Sequence, residues 1–129
     1  MKKLLLPLLI LVTVAPSVFA KDIVIFSCFT NKEKQIAIVE SNGYYEYSFG
    51  VPGKPELFFK NPVKAVEDRS EKWNGVGAWY WEEYNLKNGE YYYLVHKSVN
   101  RMSEEHEMSG GVIVYKGNKE LTQVPCERF

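Results

Sequence analysis

The chain is poor in the residues that most often carry chemistry. It has only two cysteines and two histidines among 129 residues, and its 16 basic and 16 acidic side chains cancel. This balance argues against nucleic-acid binding, which requires a concentrated basic surface. After residue 20 no apolar run is long enough to cross a membrane, and neither an internal repeat nor a low-complexity segment occurs.

The sequence offers no recognisable catalytic group. A nucleophile needs a base, and the base usually needs an orienting group. His96 falls within a predicted strand and His106 in a predicted loop, and no nearby nucleophile is marked as activated. Glu82 and Glu83 are adjacent on a predicted strand and point to opposite faces, so they are not the paired carboxylates of a glycosidase. We therefore predict that the protein is not an enzyme and expect no cofactor.

The segment from Met102 to Met108 is the one candidate for a metal. Its methionines are soft ligands that prefer Cu(I) in an exported protein, and between them lie Glu104, Glu105, His106 and Glu107. Only one histidine is local, and the spacing fits no defined site. We interpret this segment as a solvated loop and predict no metal site, with a metal carrier as an open alternative.

The first 20 residues have the pattern of a secretory signal peptide. Lys2 and Lys3 precede an apolar run of about a dozen residues, and Ala20 supplies the small residue that signal peptidase prefers. We predict cleavage after Ala20, export to the periplasm, and one domain over residues 21–129 without membrane insertion. The loss of two lysines leaves the mature chain slightly acidic, which is compatible with a basic partner.

The two cysteines are predicted to form a disulfide. Cys28 lies near the start of the mature chain and Cys126 near its end. An exported chain with two cysteines favours a structural disulfide, because redox pairs and thiolate metal sites prefer close spacing such as C-x-x-C. The bond would close a loop of roughly 100 residues and stabilise the fold by about 4–5 kcal/mol.

Hydrophobic patterning predicts an all-β fold. Short runs rich in aromatic and β-branched residues alternate with turn signals such as Asn42-Gly43 and Asn88-Gly89. They give eight strands, at residues 23–30, 35–41, 44–49, 56–60, 75–86, 90–99, 112–115 and 121–124. Residues 63–72 could hold one helical turn or a loop. Hairpin-type links favour an eight-stranded antiparallel meander barrel, which the disulfide would close by tying its first strand to its last.

The segment "GVGAWYWEEY", residues 75–84, is the most unusual stretch. If it is a strand, Gly75 and Gly77 share a face and permit a bend or a close approach. One interpretation is a bent strand whose tryptophans fill the core. The other is that the glycines, with Trp73 or Trp79, shape a binding surface at one end of the barrel.

The layout of the chain resembles that of the periplasmic and membrane-bound inhibitors of c-type lysozyme. The resemblance rests on a cysteine in the first strand, a hairpin meander, a glycine-containing segment that leads into Tyr80, and a cysteine after the last strand. It covers most of the mature chain in layout, not in residue identity. In that family an eight-stranded barrel presents a serine-glycine motif that ends in a tyrosine and enters the lysozyme cleft. The matching stretch is residues 74–80, in which Asn74 is the nearest polar residue to the missing serine.

The resemblance implies an exported, non-catalytic protein that binds a lysozyme-like hydrolase. Its partner-binding residues would be Asn74, Gly75, Gly77, Trp79 and Tyr80. Two other hypotheses stay open. One is an immunity protein against a periplasmic toxin. The other is a sugar- or peptidoglycan-binding module that uses exposed aromatic rings, such as those of Tyr91, Tyr92 and Tyr93.

Overall fold

The structure is a computed structural model that describes residues 10–13 and 21–129. The predicted signal peptide therefore lies outside the described residues, apart from residues 10–13, which have no regular secondary structure. In the part of the chain that is described, no helix is long and apolar enough to span a membrane.

Eight strands and one short helix make up the fold. They are β1 Ile23–Phe29, β2 Gln35–Ser41, β3 Tyr44–Val51, β4 Lys54–Pro62, α1 Val63–Arg69, β5 Trp79–Asn88, β6 Tyr91–Asn100, β7 Met108–Lys116 and β8 Lys119–Pro125. The predicted all-β class is confirmed, and each of the eight predicted strands corresponds to an observed one.

The strands form two separate sheets, so the predicted closed barrel is not found. One four-stranded antiparallel sheet has the order β1-β2-β3-β4 and the other the order β5-β6-β7-β8. Closure would require β4 to pair with β5, but these strands form no backbone ladder, and the Asn61 side chain at the end of β4 bonds to the β5 backbone instead. At the other seam β1 and the chain end share a single bridge, between Phe29 and Arg128.

The hairpin turns follow the sequence signals. Asn42 and Gly43 both have positive φ, at 51° and 82°, as the type I′ pair requires. The turn between β5 and β6 has Gly89 at a φ of 62°. These turns fix the register of neighbouring strands and hence which side chains face inwards.

The two sheets share one core. Side chains from both sheets pack together with Val66 of the helix, and the buried set is Phe26, Cys28, Ile36, Ile38, Tyr45, Tyr47, Val66, Leu86, Val95 and Val112. The Tyr47 ring lies 5.0 Å from that of Phe59 in its own sheet and 5.5 Å from that of Tyr93 in the other. Full burial of a side chain of this size stabilises the fold by about 1.5–3 kcal/mol.

Helix α1 is packed although its apolar residues are sparse. Val66 is fully buried and Val63 packs against the core from a partly buried position, so two valines seat the helix. The helix ends at Arg69, and the backbone N–H and hydroxyl of the next residue, Ser70, both donate to the Val66 carbonyl, at 2.9 Å and 2.6 Å. Of the two predicted alternatives for this region, the structure shows the helix.

The disulfide between Cys28 and Cys126 is confirmed and joins the two sheets. Cys28 is buried in the core, and Cys126 follows the end of β8. Beside the bond, the Phe29 N–H donates to the Arg128 carbonyl at 2.7 Å and the Glu127 N–H donates to the Phe29 carbonyl at 2.8 Å. The chain end is thus fixed against β1, and the bond fits an oxidising compartment.

Side chains satisfy the free edge of β5 where a barrel would have used a strand. The Asn61 carboxamide donates to the Lys87 carbonyl at 2.8 Å and accepts the Lys87 N–H at 2.7 Å. Two residues along, Arg69 Nε donates to the Asn85 carbonyl at 3.1 Å, and Ser70 Oγ accepts the Asn85 N–H at 2.9 Å. These bonds protect a strand edge that would otherwise be open to pairing with another chain.

Strand β7 begins at Met108, earlier than predicted, because Gly110 and Gly111 belong to the strand and not to the loop before it. A Cβ on Gly110 would clash with the His96 carbonyl, and one on Gly111 with the Val124 carbonyl. Close packing with the two neighbouring strands therefore requires glycine at both positions.

Asn61→Ala should destabilise the fold by roughly 1–3 kcal/mol, because it leaves both backbone groups of Lys87 without their partners. Urea unfolding followed by far-UV circular dichroism measures the change. Asn118→Ala, in the exposed turn between β7 and β8, is the matched control and should change the free energy of unfolding by less than about 0.5 kcal/mol. Equal stabilities of the two variants would contradict this role of Asn61.

Candidate functional site

Residues 74–78 form a loop, and the prediction of a strand from Gly75 is wrong. β5 begins only at Trp79. Gly75 has a φ of 83° and Gly77 a φ of 104°, values that lie outside the strand region and that glycine adopts most easily. A Cβ on either glycine would meet nothing within 4 Å. The two glycines therefore set the path of an exposed loop, not a close contact within a sheet.

The 74–78 loop is anchored at both ends. Asn74 Oδ1 accepts the Val76 N–H at 3.0 Å, which folds the start of the loop back on itself. Arg101, from the connection between β6 and β7, donates from Nε to the Gly77 carbonyl at 2.8 Å and from its N–H to the Ala78 carbonyl at 2.9 Å. Two connections at the same end of the second sheet are thus held together.

Exposed apolar side chains lie within the loop and next to the residues that adjoin or anchor it. Val76 is 73% exposed, Met102 is 72% exposed and Trp79 is 43% exposed. Scattered exposed apolar residues are ordinary, but a group at one end of a sheet is typical of an interaction surface. We call these three residues the loop rim.

The structure separates Tyr80 from the other predicted site residues. Asn74, Gly75, Gly77 and Trp79 are exposed in or next to the loop. Tyr80 is partly buried, and alternation along β5 places it on the face that also carries the core residue Leu86. A partner seated on the loop would therefore meet the first four residues, whereas Tyr80 belongs to the cleft beside it.

That cleft, with a volume of about 390 Å³, lies between β5 and the chain from α1 to Trp73. We call it the α1–β5 cleft. Aromatic rings supply much of its lining, from Tyr45, Trp73, Tyr80, Trp81 and Tyr84. Its acidic lining comes from Glu67, Glu71, Glu82 and Glu83, and its one basic lining residue is Lys72.

Glu82 is held in place by two tyrosines. The Tyr80 hydroxyl donates to Oε1 at 2.6 Å and the Tyr84 hydroxyl donates to Oε2 at 2.9 Å. The hydrogen bond from Tyr80 to Glu82, together with burial, raises the pKa of Tyr80. Burial, together with the hydrogen bond to Glu82, raises the pKa of Tyr84. Both phenols therefore stay protonated, and the carboxylate keeps one orientation.

Trp73 connects the cleft to the loop. Its ring meets that of Tyr80 edge-on, with 5.1 Å between centroids, and the Arg101 guanidinium lies 4.7 Å over the Trp73 ring. Its indole Nε1 is buried and has no hydrogen-bond partner among the described residues. The arginine that anchors the loop thus also packs on one wall of the cleft.

The sequence reasoning named Trp73 but missed Glu82, Tyr84 and Arg101. A signal for two of them was available, since Tyr80, Glu82 and Tyr84 alternate along one strand and must share a face. No pattern in the sequence places Arg101 against the loop, because that contact depends on how two connections meet in space.

The Met102–Met108 segment is a largely exposed polar connection between β6 and β7. Met102 and Met108 are both exposed, and His106 has a φ of 47° in a polar turn. Within residues 10–13 and 21–129, no group of three histidine, cysteine, aspartate or glutamate side chains is placed to hold a metal ion.

No protein-family model, curated protein or solved structure matches this chain.

Arg101→Ala should loosen the 74–78 loop, because it removes the bond from Nε to the Gly77 carbonyl and the packing on Trp73. We expect the amides of residues 75–78 to exchange with deuterium about three to ten times faster. Arg128→Ala is the matched control, since Arg128 also packs on an aromatic ring, that of Phe29 at 4.5 Å. Unchanged exchange in the loop of the Arg101 variant would show that the arginine does not anchor it.

The raised pKa of the Glu83 carboxyl predicts that the stability of the fold depends on pH. Burial raises the pKa of its carboxyl, a backbone hydrogen bond with Glu71 lowers it, and the Glu71 charge raises it again, with a net upward shift. A carboxyl with a raised pKa in the folded state costs stability once it ionises, so stability falls as pH rises through the folded-state value.

Glu83→Gln should therefore be more stable than the parent protein at pH 7, and the difference should shrink as the pH is lowered to 4. Urea unfolding at a series of pH values measures it, with the exposed turn variant Glu90→Gln as the control. A Glu83→Gln protein that is no more stable at pH 7 would contradict the prediction.

Proposed function

We propose that this protein is an exported, non-catalytic binding protein that inhibits a lysozyme-like cell-wall hydrolase by occluding its cleft. The observation that supports this most directly is the 74–78 loop. It projects into free space around Gly75 and Gly77, carries the exposed Val76, and is anchored by Arg101. A loop that is already ordered loses little conformational entropy when it binds, so its contacts contribute more fully to affinity.

Occlusion requires a wedge with an apolar body and polar groups near its tip. The loop rim supplies apolar area next to Asn74. The two glycines leave backbone groups open to a partner, and backbone N–H groups are suitable donors to the carboxylates of a hydrolase. In the inhibitors that this chain resembles in layout, a serine-glycine motif enters the lysozyme cleft, and in this chain Asn74 is the polar residue nearest to the position of that serine.

Location agrees with such a role. A disulfide forms and persists in an oxidising compartment, and the predicted signal peptide would direct the chain to the periplasm. Lysozymes that reach the cell wall act in that space. We therefore propose that the protein binds its partner in the periplasm.

A turbidity assay tests the proposal. The protein of residues 21–129, with its disulfide intact, is titrated against c-, g- and i-type lysozymes while each clears a suspension of cell walls. We expect inhibition of one type at micromolar protein. No inhibition of any type would contradict the proposed function.

Gly77→Trp should abolish that inhibition, because an indole on the loop blocks its entry into a cleft. The far-UV spectrum should stay unchanged, since a Cβ at this position meets nothing within 4 Å and the strain at its positive φ falls on an exposed loop outside the strands. Gly117→Trp is a closely matched control: Gly117 also has positive φ and open space, but it lies in the turn between β7 and β8. Inhibition that survives in Gly77→Trp, or is lost equally in both variants, would contradict this placement.

The other two hypotheses give different results in the same experiments. An immunity protein would bind one cognate toxin tightly and leave every lysozyme active. A sugar-binding module would show quenching of tryptophan fluorescence by soluble cell-wall fragments and no effect on clearing.

A further inference from the structure

The α1–β5 cleft carries negative charge that no cation of the protein neutralises by direct pairing. Four glutamates line it, and Lys72 is its one basic lining residue. The salt bridges found among the described residues are Lys34–Glu56, Lys116–Glu90 and Arg128–Glu33, none of which involves a lining residue.

Lys97 and Arg101 lie near the cleft, but neither forms a salt bridge with its glutamates. Lys97 is the cross-strand neighbour of Glu82 in the register of β5 and β6, yet the two form no ion pair within 4 Å. Arg101 lies over the Trp73 ring and uses its Nε for the Gly77 carbonyl. Neither cation therefore pairs with the charge of the Glu82 carboxylate. Its two oxygens accept hydrogen bonds from uncharged tyrosine hydroxyls.

The aromatic walls favour an organic cation over a metal ion. Tyr45 meets Tyr84 edge-on with 5.7 Å between ring centroids, and Trp73 meets Tyr80 in the same way at 5.1 Å. Rings of this kind attract ammonium groups through their π faces. By contrast, in the described part of the chain no three potential ligands are grouped closely enough to hold a metal.

We propose that the α1–β5 cleft binds an alkylammonium group, with Glu82 as the counter-ion and Trp73, Tyr80 and Tyr84 as the surrounding rings. The volume of about 390 Å³ lies in the range of small-ligand sites and accommodates an alkyl chain with its charged head. The tyrosine hydroxyls fix the carboxylate before the ligand arrives, so binding does not have to order it.

Amine binding does not depend on hydrolase inhibition, because it is assigned to the cleft beside β5, whereas inhibition is assigned to the exposed 74–78 loop. Each can fail without the other, because the test below uses a small amine and no hydrolase.

The probe is n-butylammonium chloride, titrated at constant ionic strength while tryptophan fluorescence is followed, since Trp73 and Trp81 line the cleft. We expect a saturable change, and no saturable change with the neutral analogue n-butanol. Glu82→Gln should weaken binding about tenfold, because a charge-assisted contact becomes a neutral one. Glu90→Gln, in the exposed turn between β5 and β6, should bind like the parent protein.

A second variant covers the case in which Glu82→Gln disturbs the fold. Glu67 and Glu71 are exposed at the rim of the cleft, so Glu67→Gln with Glu71→Gln should leave the far-UV spectrum unchanged. This double variant should bind butylammonium at least about threefold more weakly, because two attractive charges are lost. A response to butylammonium that does not saturate, an equal response to butanol, or equal affinity in the parent and double variants would overturn the proposal.

The alkylammonium group could come from a free amine or from a lysine side chain of a protein. The peptide acetyl-Ala-Lys-Ala-amide, titrated in the same way, distinguishes these sources. Tighter binding of the peptide than of butylammonium indicates a lysine of a partner protein, and weaker or equal binding indicates a free amine. Either result is consistent with the assigned cleft, provided that the glutamate variants weaken it.

Discussion

The Asn61 carboxamide bonds both backbone groups of Lys87 and, with Arg69 and Ser70, covers the free edge of β5. The positions of the α1–β5 cleft and of the 74–78 loop depend on this edge contact. Because side chains replace a partner strand, α1 and the residues up to Trp73 run beside β5 without adding to its sheet. The space left between them is the α1–β5 cleft. The same path delivers the chain to the 74–78 loop at the start of β5.

The two sheets are joined at two places, by the disulfide and by side chains at the edge of β5. These two junctions differ in strength. The seam at Cys28 and Cys126 is covalent and flanked by backbone bonds, which leaves little room for a site. The seam at β5 depends on side chains, and it is there that the cleft and the loop are found. Arg101 couples the two, since it anchors the Gly77 carbonyl and packs on Trp73. The loop and one wall of the cleft therefore share contacts with the same arginine side chain.

The sequence predicted local features well and spatial ones poorly. Alternation and Asn-Gly pairs located the eight strands, and the export pattern favoured the disulfide, because these depend on neighbouring residues or on composition. The barrel prediction rests on hairpin links, on the removal of open strand edges and on the disulfide, none of which reveals that β4 and β5 do not pair. Gly75 and Gly77 were assigned to a strand because the aromatic residues after them are strand-like, whereas their positive φ makes them a loop. Alternation places Glu82 on the face of Tyr80 and excludes it from a catalytic pair with Glu83, but it does not show the bonds of Glu82 to two tyrosines. The role of Glu82 between Tyr80 and Tyr84 depends on which face of β5 turns inwards.

The most direct test of the central claim, that the 74–78 loop docks on a lysozyme-like hydrolase, is a map of the contact by nuclear magnetic resonance. The ¹⁵N-labelled protein is titrated with inactivated c-, g- and i-type lysozymes in turn, and amide shifts are followed residue by residue. We expect one type to shift or broaden the amides of residues 74–80 together with those of Arg101 and Met102. Shifts confined to the turns at Gly43, Gly89 and Gly117, or no shifts with any of the three types, would contradict it.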